Sequence, residues 1–484
     1  MIIGIAIAYL MALLAIGVWA TRRTQTARDF FVAGSGIGLV TLSISAMAAT
    51  LSGFAFIGGP GFIYRAGLGA AFIVFPSAIT NTLSAWVMAK RLRLLAEVRD
   101  VVTIPDAIRI RYDSPLAQGL AAVAIVLAVI GYIGTNLLAL GLVIDPIFGT
   151  GLRPAILIGS AVVLAYSVSG GILAGIYNDV LQGLIMAVAS VLVFMRALDV
   201  TGGLSGLSHT LMRVAPEHLA PWGTLTPLAA MSYFFVFGMG TLGQPHVLHK
   251  FYMLRDPLKL RWFPVGMTLA MTLTLLLFVG VGLAMKALVA TGATPPLANP
   301  DDATPAFLLR FAPEPLAGLV FTAAAAAIMS TVNSFLSVGA AALTRDLPRA
   351  LGRPIANELQ WGRRWTVALM LLATGVAVQP GVVVAFLGIF GWGLFASTLV
   401  PALTVGLNWE GATRAGAVAS IATGLVATLV LETLAWLKWF TLPAGVTATA
   451  VTLVASLLVF LAVSHVTRAA HEPLAPDVAA VLRA

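Results

Sequence analysis

Apolar runs of about 20 residues recur along the whole chain, each closed by a short stretch rich in Lys, Arg, Pro or Gly. A run of that length is what a bilayer core of about 30 Å demands of one helix. Inside lipid only helices and closed barrels satisfy every backbone N–H and C=O. About thirteen segments read as spans, near residues 2–20, 37–64, 67–89, 117–145, 153–168, 170–198, 225–248, 262–286, 304–342, 365–379, 381–407, 415–435 and 446–467. The ninth is too long for one crossing, so a surface helix from Pro305 is expected before a span near 315–342. Charged residues make up 10% of the chain, too few to cover a soluble particle of this size. The expectation is an all-α polytopic membrane protein. A soluble enzyme, a disordered chain and a coiled coil are excluded.

The sparse charge is also sorted. With the N-terminus outside and the C-terminus inside, 21 of the 28 Lys and Arg residues fall on the inner side, among them Arg22, Arg23, Arg28 and Lys250. The positive-inside rule therefore sets that orientation and an odd number of crossings. It also gives the formal charge of +9 a topological reading and leaves nucleic acid without a role. There is no cysteine, which removes disulfides and thiolate metal sites. Met1–Ala20 has no basic residue before its apolar core, so it reads as a retained span rather than a signal peptide. The polar loops are too short for a separate soluble domain, and residues 1–484 form one transmembrane unit.

Function in such a chain sits where the apolar pattern breaks, because non-helical backbone is tolerated only where protein or a cavity covers it. The second span carries Ser43, Ser45, Thr50, Ser52 and Gly53, then Gly58-Gly59-Pro60-Gly61. The seventh carries Gly238-Met239-Gly240-Thr241-Leu242-Gly243-Gln244-Pro245-His246, where Pro245 removes a backbone donor. Each break alone reads equally as close packing through small residues or as a simple kink. The two lie five spans apart, and interrupted segments at matching places in inverted repeats point to a midplane binding site. Repeat one would then cover residues 36–198 and repeat two 220–407, flanked by an extra helix in 1–35 and C-terminal helices in 408–484.

Three further features carry oxygen to mid-depth. Ser330 and Thr331, followed by Asn333 and Ser334, put hydroxyls on one flank of the ninth span. They suit a hard cation, or they bond back to carbonyls one turn earlier. Asp179, in Asn178-Asp179-Val180-Leu181-Gln182, is the carboxylate placed inside the bundle. An intramembrane acid is by default a coupling or pathway residue, while an interfacial helix start would also suit it. Thr135 and Asn136 either contact a solute or join helices. Trp392 reads as packing or an interface anchor, and His246 and His249 as snorkelling to the interface. No phosphate loop, nucleophile elbow or paired acids support an enzyme.

Taken together, Ser52-Gly53 through Gly58-Gly59-Pro60-Gly61, Gly170-Gly171 to Asn178-Asp179 and Gln182, Gly243-Gln244-Pro245-His246, and Ala326-Ala327-Ile328-Met329-Ser330-Thr331 with Thr344-Arg345-Asp346-Leu347 resemble the sodium/solute symporter family. The resemblance runs over nearly the whole length. It implies a LeuT-type fold of two inverted five-helix repeats. It also implies a Na⁺ site made by the carbonyls of Ala48, Leu51 and Ala327 and the hydroxyls of Ser330 and Thr331, with Asp179 in sodium coupling or release.

Substrate contacts are expected at Thr50, Ser52, Gly53, Thr135, Asn136, Phe237, Thr241 and Gln244. Thr50 replaces the aspartate of proline permeases, and Phe237 and Thr241 replace an aromatic pair, which argues against proline. The third span lacks the glutamate of sugar carriers. Phe56-Ile57-Gly58-Gly59-Pro60-Gly61 and Asn178-Asp179-Val180-Leu181-Gln182-Gly183 look most like the pantothenate and monocarboxylate branch. The implied activity is Na⁺-driven import of a small organic acid across a bacterial inner (plasma) membrane, with no cofactor besides the coupling ion. A proline-like amino-acid carrier, a proton-coupled carrier and a passive facilitator stand as alternatives.

Overall fold

The computed structural model describes residues 2–22, 26, 31, 33, 36–379, 384–443, 445–470 and 474–484. Among these the chain is helical, and its β-type pairing is one isolated bridge between Ile37 and Leu254. Among the described residues, eight helices are long and apolar enough to cross a membrane by length and composition, and three shorter apolar helices accompany them. Helical structure occupies each of the thirteen expected segments; residues 381–383 of the eleventh lie outside the described residues, as do Arg23 and Arg28.

The N-terminal helix α1 (Ile2–Thr21) precedes α2 (Leu39–Thr50). There the chain breaks: Leu51 is extended at φ −80°, ψ 91°, and helical geometry resumes at Gly53. A π-helical turn, Phe54–Gly58, leads into α3 (Gly59–Ala66). The interruption therefore falls on Leu51–Ser52, and the Gly-Pro cluster after it stays helical. Its glycines serve contact instead. A Cβ on Gly61 would lie 2.5 Å from the Pro300 carbonyl oxygen, and one on Gly59 would overlap the Phe278 ring. Next come α4 (Phe75–Ser84), α5 (Lys90–Val98), α6 (Ile104–Tyr112) and α7 (Pro115–Phe148). Thr103 and Ser114 cap α6 and α7 by accepting from the amides of Asp106 and Ala117.

Helix α8 (Leu152–Val200) carries both the fifth and the sixth expected spans. A straight helix of 49 residues would reach about 74 Å, over twice a bilayer core. Ile158 and Val162 line a cavity with Ile2, while Arg196 donates to the Phe311 carbonyl, just before the helix whose Gly318 abuts Ile2, so these contacts lie closer together than a straight helix allows.

After α9 (Gly203–Val214), α10 (Pro227–Thr241) stops and the chain turns through Leu242–Gln244 into the single turn α11 (Pro245–Leu248). Then follow α12 (Phe263–Ala290), α13 (Ala303–Phe311) and α14 (Glu314–Ala341); the ninth segment divides as its length requires, but α13 is not a surface helix, since Ala303, Thr304, Pro305, Phe307 and Leu308 are buried. A π-helical turn, Ala342–Asp346, leads into α15 (Leu347–Ala350). The rest is α16 (Glu358–Ala377), α17 (Val384–Leu399), α18 (Gly406–Asn408), α19 (Arg414–Trp436), α20 (Ala448–Thr467) and α21 (Pro476–Arg483). Helix α14 is buried through most of its length and packs against α7, α8 and α2, so it forms the core on which both breaks rest.

Candidate functional site

The first break brings carbonyls to α14. Where α2 stops, the oxygens of its last turn lose their intrahelical donors, and α14 supplies two hydroxyls. Ser330 Oγ donates to Ala48 O (2.8 Å) and to Ala327 O (3.0 Å). Thr331 Oγ1 lies 3.1 Å from Ala49 O, 2.9 Å from Ala327 O and 3.5 Å from Leu51 O. All five oxygens expected from Ala48, Leu51, Ala327, Ser330 and Thr331 thus meet in one place, joined by Ala49. Both side chains are buried, and no charge takes part in this group. A compact set of neutral oxygens is what a small hard cation requires.

Just beyond the break, Asn136 of α7 holds the chain. Its Oδ1 accepts from the Gly53 amide (2.9 Å), while its Nδ2 donates to Tyr132 O (2.8 Å). The Phe54 amide donates to Ser52 Oγ (3.2 Å) and the Ala55 amide to Ser52 O (2.9 Å). The first amides of the resumed helix are therefore already engaged by protein groups. Thr135 and Thr50 turn their hydroxyls back to Gly131 O and Ala46 O within their own helices. Of the expected pair, Asn136 joins two elements and Thr135 does not.

An aromatic group surrounds the region between the breaks. Phe237 stacks between Phe54 (centroids 6.1 Å) and Trp392 (5.5 Å). Tyr132 lies 6.3 Å from the Trp392 ring and shares a 3.4 Å hydroxyl contact with Ser52. Thr241 donates to Phe237 O (2.8 Å), and Gln244 Nε2 to Gly240 O (3.0 Å). Gly240 is small because the Trp392 indole occupies the place of a Cβ. Two buried polar atoms in this group, Trp392 Nε1 and Gln244 Oε1, have no hydrogen-bond partner among the described residues. One donor and one acceptor thus stand open among aromatic faces.

Trp392 belongs here and not to an interface, because it is 5% exposed and stacked on Phe237. His246 and His249 do not snorkel either; both are buried, and His246 packs on the Phe335 ring at 4.1 Å.

Asp179 sits one turn further along. Its Oδ2 accepts from Ser45 Oγ (2.6 Å) and from Lys250 Nζ (3.0 Å), and Lys250 also donates to Ser45 (2.6 Å). It is not alone as a buried acid: Asp106 and Asp346 are buried with Arg345, Thr103 and Gln118. Lys250, read in the sequence as a loop charge, is fully buried. The surroundings of Gly170 and Gly171, which open the Asp179 motif, lie outside the described residues.

A sodium:solute symporter family model matches residues 30–424. The chain belongs to the sodium:solute symporter family. It is a sodium-coupled solute symporter, a transporter and not an enzyme, with Na⁺ and a small solute as its ligands. Similar proteins include the sodium/pantothenate symporter of Escherichia coli (strain K12), 28% identical over 443 residues that cover 88% of this chain and 90% of that one. The osmoregulated proline transporter OpuE of Bacillus subtilis (strain 168) is 29% identical over 436 residues, 87% of each chain. Among solved structures, a Na⁺-coupled sialic acid symporter in a substrate-bound outward-open state superposes with a TM-score of 0.80 at 19% identity, covering 98% of both chains. MhsT in complex with L-phenylalanine gives 0.57 at 13% identity, over 88% of this chain and 98% of that one. These likenesses fix the fold as the LeuT type.

Proposed function

We propose that the symporter imports a small organic acid, a monocarboxylate or pantothenate-like solute, driven by inward Na⁺ movement across a bacterial plasma membrane. In this reading the N-terminus is outside, the C-terminus inside, and about thirteen helices cross. Residues 36–198 and 220–407 are the inverted repeats that rock about the site. Na⁺ binds the carbonyls of Ala48, Leu51 and Ala327 and the hydroxyls of Ser330 and Thr331, tying the broken helix to α14. The observation that carries the ion assignment is the convergence of those five neutral oxygens around Ser330 and Thr331.

Solute binds between the breaks, against Phe237, Trp392 and Tyr132, near Ser52, Gly53, Thr241 and Gln244. The open indole N–H meets a carboxylate or hydroxyl oxygen, and Gln244 Oε1 accepts from a hydroxyl, amide or ammonium. That acceptor also favours a second reading, a proline-like amino-acid carrier, in keeping with the proline transporter among its relatives. One charge moving down about 100 mV releases roughly 2.3 kcal/mol, about a 50-fold solute gradient. Uptake by purified protein in vesicles, with a panel of labelled organic acids and amino acids, tests the assignment. A sodium-dependent signal for acids without an amine is expected. Uptake confined to amino acids selects the second reading, and sodium-independent flux overturns both.

A further inference from the structure

Lys250 follows the second break, on the short helical turn His249–Met253, and has no exposed surface. Among the described residues its ammonium donates to Ser45 of α2 and Asp179 of α8, and Ser45 itself donates to the same carboxylate oxygen. One proton-bearing nitrogen thus binds three segments together. Ser45 precedes Ala48 by three residues, which places this layer about 4.5 Å along α2 from the oxygen group at Ser330 and Thr331. On α14, Asn333 follows Ser330 by the same interval and fits against Gly175, one turn before Asp179. The charged layer and the neutral layer are therefore consecutive turns of one interface.

A buried carboxylate that stays ionised needs a cation, since an unpaired charge is not held in so dry a place. In a protein that moves Na⁺ through this interface, a bare carboxylate one turn from the neutral oxygens would be a second place for that ion. Here the place is filled by a side chain. We infer that Lys250 is a tethered counter-ion for Asp179, which keeps a second Na⁺ out and holds the coupling ratio at one Na⁺ per solute.

The inference rests on the proposed Na⁺ site at Ser330 and Thr331, and it makes a separate claim about number. The second carboxylate oxygen of Asp179, Oδ1, is without a hydrogen-bond partner among the described residues. With the ammonium removed, the carboxylate is left to a mobile cation.

The test is ²²Na⁺ retention per mole of purified full-length protein, together with the solute gradient sustained in vesicles at zero membrane potential. Wild type is expected to hold one Na⁺, with about a ten-fold Na⁺ gradient supporting about a ten-fold solute gradient. Lys250→Met is expected to hold two, and the double variant Lys250→Met with Asp179→Asn to return to one. Two Na⁺ retained by wild type would overturn the inference without any variant. One Na⁺ retained by both wild type and a folded Lys250→Met, shown by its unfolding transition, would overturn it equally. No retention by wild type would overturn this inference and the Na⁺ site together.

Discussion

Ser330 and Thr331 were legible in the sequence because two adjacent hydroxyls stand out in an alanine-rich apolar run. Their partners were not legible from spacing, since the carbonyls they meet lie some 280 residues away in the chain. Each hydroxyl bonds oxygens on both α2 and α14, so its loss should weaken Na⁺ binding directly. At about 1.5–3 kcal/mol for a bond to a charged partner, Ser330→Ala or Thr331→Ala should raise the Na⁺ concentration for half-maximal uptake by about ten-fold or more. Uptake titrated with Na⁺ at fixed solute reads this directly, and unchanged curves in both variants would remove the site. Lys250 was missed for a physical reason. A lysine that ends an apolar run looks like any interfacial anchor, and only the fold shows that Asp179 waits beside it.

At the scale of the element, the breaks decide what each helix can do. Gly53 opens the resumed helix just after the first break. A Cβ there would lie 2.6 Å from that of Ala139 on α7 and 2.9 Å from Ile328 on α14, and neither neighbour is a flexible chain end. Gly53→Ala should therefore push the resumed helix off α7 and α14, at a cost of about 1–3 kcal/mol. Lowered thermal stability in detergent and a larger loss of uptake are expected; wild-type uptake would show that the close approach is dispensable. Asn136→Ala leaves the Gly53 amide without its acceptor, a buried loss of about 1–3 kcal/mol. Its expected signature is faster hydrogen exchange at Gly53 and Phe54, and unaltered exchange there would refute the clamp. The sequence marked both interrupted spans through their small residues and Pro245. It placed the first break across a longer stretch than the two residues that leave the helix, because Gly and Pro report permission to bend and not the place where packing uses it.

At the scale of the molecule, ion pairs gather at one end and bind distant segments. Arg99 pairs with Asp477 of α21 (2.6 Å), and Arg483 of α21 with Glu410 (2.9 Å), while Arg91 donates to Leu482 O (3.0 Å). The hydrogen bond from Arg99 holds the Asp477 carboxyl below its ordinary range, and that from Arg483 does the same for Glu410. A depressed folded-state value means stability present above the unfolded value, about pH 4, and lost as pH falls through the folded one. Helix α21 should thus loosen below about pH 4 and, because the pairs are exposed, loosen at high salt near neutrality as well. Hydrogen exchange or proteolysis confined to 476–483 measures it. Protection of α21 indifferent to both salt and acid would show that its apolar face, Val478, Val481 and Leu482, holds it alone.

Membrane residence, the helical class, the two interrupted spans and the hydroxyl pair could be read from the chain alone, because each rests on local composition or on a period within one segment. The partners were settled in three dimensions. Asn136 on the Gly53 amide, Trp392 stacked on Phe237 and the burial of Lys250 against Asp179 all join residues far apart in sequence. An apolar span is solvated by lipid on any face, so its pattern does not say which face meets protein. Only the packing of both broken helices on α14 decided that, and with it which of the few polar atoms form a site.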